Sequence, residues 1–121
     1  MAGYHWRMPM LEITSNLVLS DSEKMNCLQT LSKTAEELLE KPESVVMTAW
    51  HVAKMTFAGN ESPTIYLAIK SIRLPDDTPQ QVVREFCERL HLATGVATDR
   101  IFITFEDVAP THWGWDGHTL S

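Results

Sequence analysis

The chain has 121 residues, 44% hydrophobic and 21% charged, which fits one compact domain able to bury roughly two thirds of its unfolded surface. Sixteen acidic and ten basic side chains give a formal net charge of −6, which argues against a nucleic-acid surface and supplies no polybasic membrane patch. No apolar run approaches the roughly 18 residues of a membrane span, Tyr4-His5-Trp6-Arg7 is not the apolar core of a signal peptide, and the sequence reads as a chain made in the cytosol.

The opening residues contain two places where a chain could begin, because Met8 directly precedes Pro9. A chain trimmed after Met8 would carry Pro9 as a free secondary amine, whereas a chain that keeps Met1 ties the Pro9 nitrogen into an amide, which is no base. Residues 1–8 are therefore read as an N-terminal extension ahead of a single domain at 9–121.

Met10 to Leu19 alternates Leu11, Ile13, Leu17 and Val18 with polar residues and predicts a first strand. Ser20-Asp21-Ser22-Glu23 then matches a capping box, in which the Ser hydroxyl and the Glu carboxylate satisfy backbone N–H groups at a helix start. Met25, Leu28, Leu31, Ala35, Leu38 and Leu39 repeat at helical spacing as one apolar stripe, and Pro42 ends the helix near Lys41. Ser44 to Val52 is apolar on both parities, which suits a strand buried on both faces. Gly59-Asn60-Glu61-Ser62-Pro63 reads as a turn.

The second half repeats the order. Thr64 to Ile72 predicts a strand, and Leu74-Pro75-Asp76-Asp77 a turn. Thr78-Pro79-Gln80-Gln81 supplies an N-cap threonine, a first-turn proline and a capping-box glutamine for a second helix. Val82, Val83, Phe86, Leu90 and Cys87 form its apolar face, and it ends between Ala93 and Gly95. Arg100 to Phe105 alternates as a last strand before a tail containing Trp113-Gly114-Trp115. Each strand-helix-strand unit, about fifty residues, is too small to bury its own helix stripe, so the two should share a sheet. The expected fold is α/β: a βαββαβ subunit with a four-stranded sheet and both helices on one face. The apolar character of both strand parities further suggests that the uncovered face is buried by other copies, in an obligate homo-oligomer.

Local chemistry leaves the site open. Lys41 can answer the negative end of the first helix or hold a carboxylate, and nothing nearby decides. His5, His51, His91, His112 and His118 lack metal-ligand spacing. Cys27 and Cys87 form no CxxC and read as free core thiols. Glu106 and Asp107, as adjacent strand residues, are expected to point to opposite faces, which argues against a joint acid-base role.

Five ordered blocks carry a resemblance: Pro9-Met10, Lys41 to Met47, Met55 to Pro63, Lys70-Ser71-Ile72, and Asp99 to Val108 with the ending Gly114-Trp115-Asp116-Gly117-His118-Thr119-Leu120. Together they resemble the macrophage migration inhibitory factor branch of the tautomerase superfamily, from Pro9 to the C-terminus. The resemblance implies a homotrimer whose sheets, extended by edge strands from neighbouring subunits, form a barrel with the helices outside. It also implies keto-enol tautomerisation of phenylpyruvate-like 2-oxo acids and dopachrome-like test substrates, with no cofactor. Pro9 would be the catalytic base, Lys41 would hold the substrate's carboxylate or enolate oxygen, and the Ile72 N–H, helped by Ser71, would bind the carboxylate. Met10, Val46 or its neighbours, and Trp115 would shape an apolar slot for the aromatic ring.

The sequence departs from that pattern in places. Phe102 stands where animal relatives carry a Tyr reaching across the subunit interface, and Thr104 stands where they carry Asn. Loss of such a donor implies slower turnover and a gain from Phe102→Tyr. Thr64-Ile65-Tyr66-Leu67 replaces their CxxC, so thiol-redox activity is not implied. With residues 1–8 attached, Pro9 has no basic nitrogen and the chain is expected to be inactive. The alternative reading is a catalytically silent, cytokine-like trimeric binding module, released outside the cell without a signal peptide as the cytokine members are, with no receptor legible in the sequence.

Overall fold

The computed structural model describes residues 8–121. The four main strands are β1 (Met10–Ser15), β2 (Met47–Val52), β3 (Ile65–Ser71) and β4 (Ile101–Asp107), and the helices are α1 (Asp21–Leu39) and α2 (Gln80–Thr94). A small hairpin of β5 (Gly114–Trp115) and β6 (His118–Thr119) follows. The sheet order is β2-β1-β3-β4. β1 pairs parallel with β2 and β3 parallel with β4, while β1 and β3 are antiparallel. This is the expected βαββαβ arrangement, two parallel units joined back to back at the centre of one sheet.

Alternation decides which face each strand offers. Leu11 and Ile13 of β1, Ile65, Leu67 and Ile69 of β3, and Ile101 of β4 are buried with Cys27, Leu31 and Ala35 of α1 and Phe86 and Leu90 of α2. Both helices therefore cover the same face. The opposite face carries Met47, Ala49 and His51 beside Met10, Glu12 and Thr14, then Lys70, Ala68 and Tyr66, then Glu106, Thr104 and Phe102, as the strand registers dictate. Half of these side chains are charged or hydroxylic. The expectation that strands are apolar on both parities is thus corrected, and within the single chain β2 is an edge strand with Met47 and Val52 exposed.

Several boundaries differ for local reasons. β1 stops at Ser15, four residues early, because side chains take over from the ladder. The buried Ser15 hydroxyl donates to the Thr64 carbonyl at 2.7 Å, and Asn16 accepts from the Thr64 N–H at 2.8 Å while donating to the Glu61 carbonyl at 3.0 Å. The α1 capping box is present, with Ser20 Oγ accepting from the Glu23 N–H at 3.2 Å and Glu23 Oε1 accepting from the Ser20 N–H at 2.9 Å. Its buried line runs through Cys27, Leu31, Thr34 and Ala35, which turns Met25 outward. α1 closes on Glu40 in the left-handed region, φ 55°. At α2 the cap is Pro79, with no side-chain hydrogen bond, so Thr78 does not cap that helix. Gly95 at φ 75° ends it, as expected of a C-cap glycine.

The turn before β3 is tighter than its composition suggests. Phe57 and Asn60 form a bridge around Ala58 and Gly59, both at positive φ, the geometry of a two-residue primed turn. Arg100 fastens it to the sheet: its guanidinium donates to the carbonyls of Phe57, Asn60, Ser62 and Pro63 and to Thr64 Oγ1. The C-terminal hairpin turns in the same way on Asp116 and Gly117.

Candidate active site

The antiparallel centre of the sheet brings the start of β1, the end of β3, the start of β2 and the end of β4 to one end of the molecule. Pro9 lies there, fully buried, with its carbonyl accepting from the Met47 N–H at 3.0 Å. Met10 follows on the uncovered face, opposite Met47 and Lys70. Ser71 and Ile72 are fully buried at the end of β3. Ser71 Oγ donates to the Ile72 carbonyl at 3.2 Å, and the Ser71 carbonyl accepts from the Val108 N–H at 2.8 Å, which ties the end of β3 to the exit of β4.

Lys41 stands at this same end because α1 returns the chain there and Glu40 and Pro42 turn it towards β2. It is only 4% exposed, so its four-carbon stem is packed and the ammonium is not a freely solvated surface charge. With Arg73, Leu39, Leu74, Val82 and Phe105 it lines a cavity of about 350 Å³ between the ends of α1 and β3 and the start of α2. A second, open groove of about 440 Å³ runs over Met10, Met47, Lys70, Glu106, Val108 and Trp113. One end of the fold thus holds Pro9, Met10, Val46, Lys41, Ser71 and Ile72.

Phe102 and Thr104 are not brought to that end within one chain. Phe102 pairs with Tyr66 near the other end of β4, four residues from Glu106 and so roughly 13 Å along the strand. The residue is 38% exposed and its ring meets Phe57 edge to face, with centroids 4.7 Å apart, while the Arg100 guanidinium lies 5.3 Å from the Phe57 ring centre. Trp115 sits exposed on β5. Sequence reasoning missed Tyr66, whose hydroxyl lies 2.8 Å from Thr104 Oγ1. The signal was its parity: Tyr66 falls between the buried Ile65 and Leu67, on the uncovered face.

Glu106 and Asp107 do diverge: Glu106 lines the open groove, and Asp107 accepts from the Leu74 N–H at 3.1 Å. Both cysteines are free thiols. Burial pushes Cys27 up to about 11, and burial with the nearby Glu88 carboxylate also raises Cys87. A raised thiol pKa leaves less thiolate, so both should label slowly at pH 8. We expect Cys87 to react first with a thiol reagent, and Cys27 only on unfolding; rapid labelling of both in the folded protein would contradict this burial.

A four-stranded sheet built from two β-α-β units, with both helices on one face, is the subunit fold of the tautomerase superfamily. The crystal structure of a macrophage migration inhibitory factor homologue from Prochlorococcus marinus superposes with a TM-score of 0.83 and 38% identity, covering 93% of this chain and 99% of that one. A macrophage migration inhibitory factor-like protein from Entamoeba histolytica has the same fold, with a TM-score of 0.86 at 23% identity over 93% of this chain and 98% of that one. The macrophage migration inhibitory factor of Xenopus tropicalis is 25% identical over 118 residues, 94% of this chain and all of that protein. The family model for macrophage migration inhibitory factor matches residues 8–121, and the chain belongs to that family. Membership supports isomerase chemistry or cytokine-like function in general terms. Among the described residues no helix is long and apolar enough to cross a membrane.

Proposed function

We propose that the protein, in a form whose chain begins at Pro9, is a cofactor-independent keto-enol tautomerase that works as a homotrimer on 2-oxo acids bearing an aromatic ring. The observation that supports this reading is that Pro9, Lys41 and Ser71-Ile72 all lie towards one end of the sheet, in a member of this family. The Pro9 nitrogen takes a proton from the carbon beside the carbonyl. The C–H pair becomes the new C=C bond, and the carbonyl pair moves onto oxygen as an enolate. The ammonium of Lys41 and the N–H of Ile72 stabilise the substrate's oxygens, which matters most as that charge develops. Return of the proton to oxygen completes the enol. Met10, Val46 and Trp115 form the apolar slot, and Phe102 and Thr104 enter from a neighbouring copy.

The trimer reading draws support from the uncovered sheet face, where Met47, Tyr66 and Phe102 are all exposed in the single chain. A second reading, a silent binding module, is favoured by one observation: in the 121-residue chain the Pro9 nitrogen is bonded to Met8, and both residues are buried. Assay of phenylpyruvate tautomerisation by the full chain and by a chain starting at Pro9 separates the two. Activity confined to the shorter chain supports the enzyme, and inactivity of a correctly assembled shorter chain supports the module.

A further inference from the structure

The uncovered face carries a compact aromatic patch that the proposed chemistry has not used in full. Tyr66 and Phe102 are register partners on adjacent parallel strands, and Thr104 lies two residues further along β4 on the same face. The Tyr66 hydroxyl lies against Thr104, Oη to Oγ1 2.8 Å, while the residue remains 37% exposed. Phe102 is braced from its other side by Phe57, on the turn that Arg100 pins. The patch is therefore preorganised: two phenyl rings set at 67° and a tyrosine, with one hydroxyl pair among them.

That pair has a property a lone hydroxyl lacks. Each member has one proton to donate and two lone pairs to accept with. Whichever donates within the pair, the other keeps its proton for an outside acceptor, and its oxygen is polarised by the bond it receives. A patch with aromatic walls and one guaranteed outward donor suits a ligand with an aromatic ring beside an anionic oxygen, which describes the enolate of an aryl-substituted 2-oxo acid.

We infer that Tyr66, hydrogen-bonded to Thr104, is a further catalytic residue of the tautomerase, donating to the substrate's enolate oxygen in place of the hydroxyl that position 102 lacks. The inference rests on the reading under Proposed function, in which Phe102 and Thr104 face the Pro9 site of a neighbouring copy. Tyr66 loses no proton and forms no covalent bond: its O–H strengthens as a donor while negative charge builds on oxygen. A hydroxyl added at 102 then yields its greatest gain where Tyr66 lacks its own.

The test uses the chain starting at Pro9 with phenylpyruvate, comparing the parent, Tyr66→Phe, and the double variant Tyr66→Phe with Phe102→Tyr. Removing one hydroxyl from a part-exposed ring leaves the fold intact, which the assembled mass and the unfolding midpoint verify. Tyr66→Phe is expected to lower kcat/KM by roughly 100-fold, mostly in kcat, and the double variant to regain at least a tenth of the parent's value. An active parent with Tyr66→Phe within threefold of it overturns the role of Tyr66, as does a double variant with no recovery. An inactive parent overturns the tautomerase reading itself, and this inference with it.

Discussion

Removing residues 1–8 is expected to raise phenylpyruvate tautomerase turnover from background by at least about 100-fold, the lower range of what a positioned general base contributes. Two physical changes act together. The bond to Met8 makes the Pro9 nitrogen an amide, whose lone pair is delocalised into the carbonyl and cannot take a proton at neutral pH. Met8 is also buried beside the fully buried Pro9, so its removal frees the nitrogen and clears space around it. A chain shortened only to Met8, with retention of Met8 verified by intact mass, separates the effects: it has a free amine one residue away from the correct position, and it is expected to stay inactive. Equal activity of the Met8 and Pro9 forms would mean that a general amine, and not this proline, does the chemistry.

Phe86→Ala is expected to destabilise the subunit by about 3–5 kcal/mol, a large share of the roughly 5–15 kcal/mol that holds a typical domain folded. Phe86 is the largest fully buried side chain among the described residues, and it packs against Phe105 edge to face with centroids 6.3 Å apart. Its position in α2 joins that helix to α1 through Leu31 and to the sheet through β4. The neighbours cannot easily close the gap. Arg89, on the next turn, is held by Glu37 at 2.8 Å, by Glu85 at 3.5 Å and by Thr34 at 3.3 Å. Leu92→Ala on the same helix removes an apolar side chain that is 75% exposed, and it is expected to cost under about 0.5 kcal/mol. Chemical denaturation of the two variants checks both figures, and similar losses at the two positions would contradict the assignment of the core.

The subunit topology was legible because its signals are local. The Ser20-Glu23 capping box, the Gly95 stop and the alternation of β3 and β4 each lie within a few residues of the feature they specify. What was not legible depends on partners far along the chain. β1 ends at Ser15 because Thr64, 49 residues on, takes up its hydroxyl. The buried line of α1 passes through Cys27 and Thr34 instead of Met25 because of where α2 and the sheet lie, which the spacing of leucines alone leaves uncertain by one position. Thr78 looked like a cap, yet Pro79 keeps extended geometry with ψ 134° and delays the helix to Gln80.

The candidate site divides along the same line. Pro9, Lys41 and Ser71-Ile72 sit at strand ends, so topology alone brings them to one end of the sheet. Phe102 and Thr104 lie on the uncovered face away from that end, and it is only in the trimer proposed above that they would meet Pro9, across a subunit boundary. Tyr66 went unrecognised because its contact with Thr104 spans 38 residues and exists only once β3 and β4 are in register.

The most direct test of the proposal that Pro9 is the base is a titration of its nitrogen in the chain that starts there, with nitrogen-15 proline followed by NMR, set beside the pH dependence of kcat/KM for phenylpyruvate. The expected result is a single ionisation seen by both, with activity rising as the Pro9 nitrogen loses its proton. A rate profile that ignores the Pro9 ionisation would contradict the mechanism.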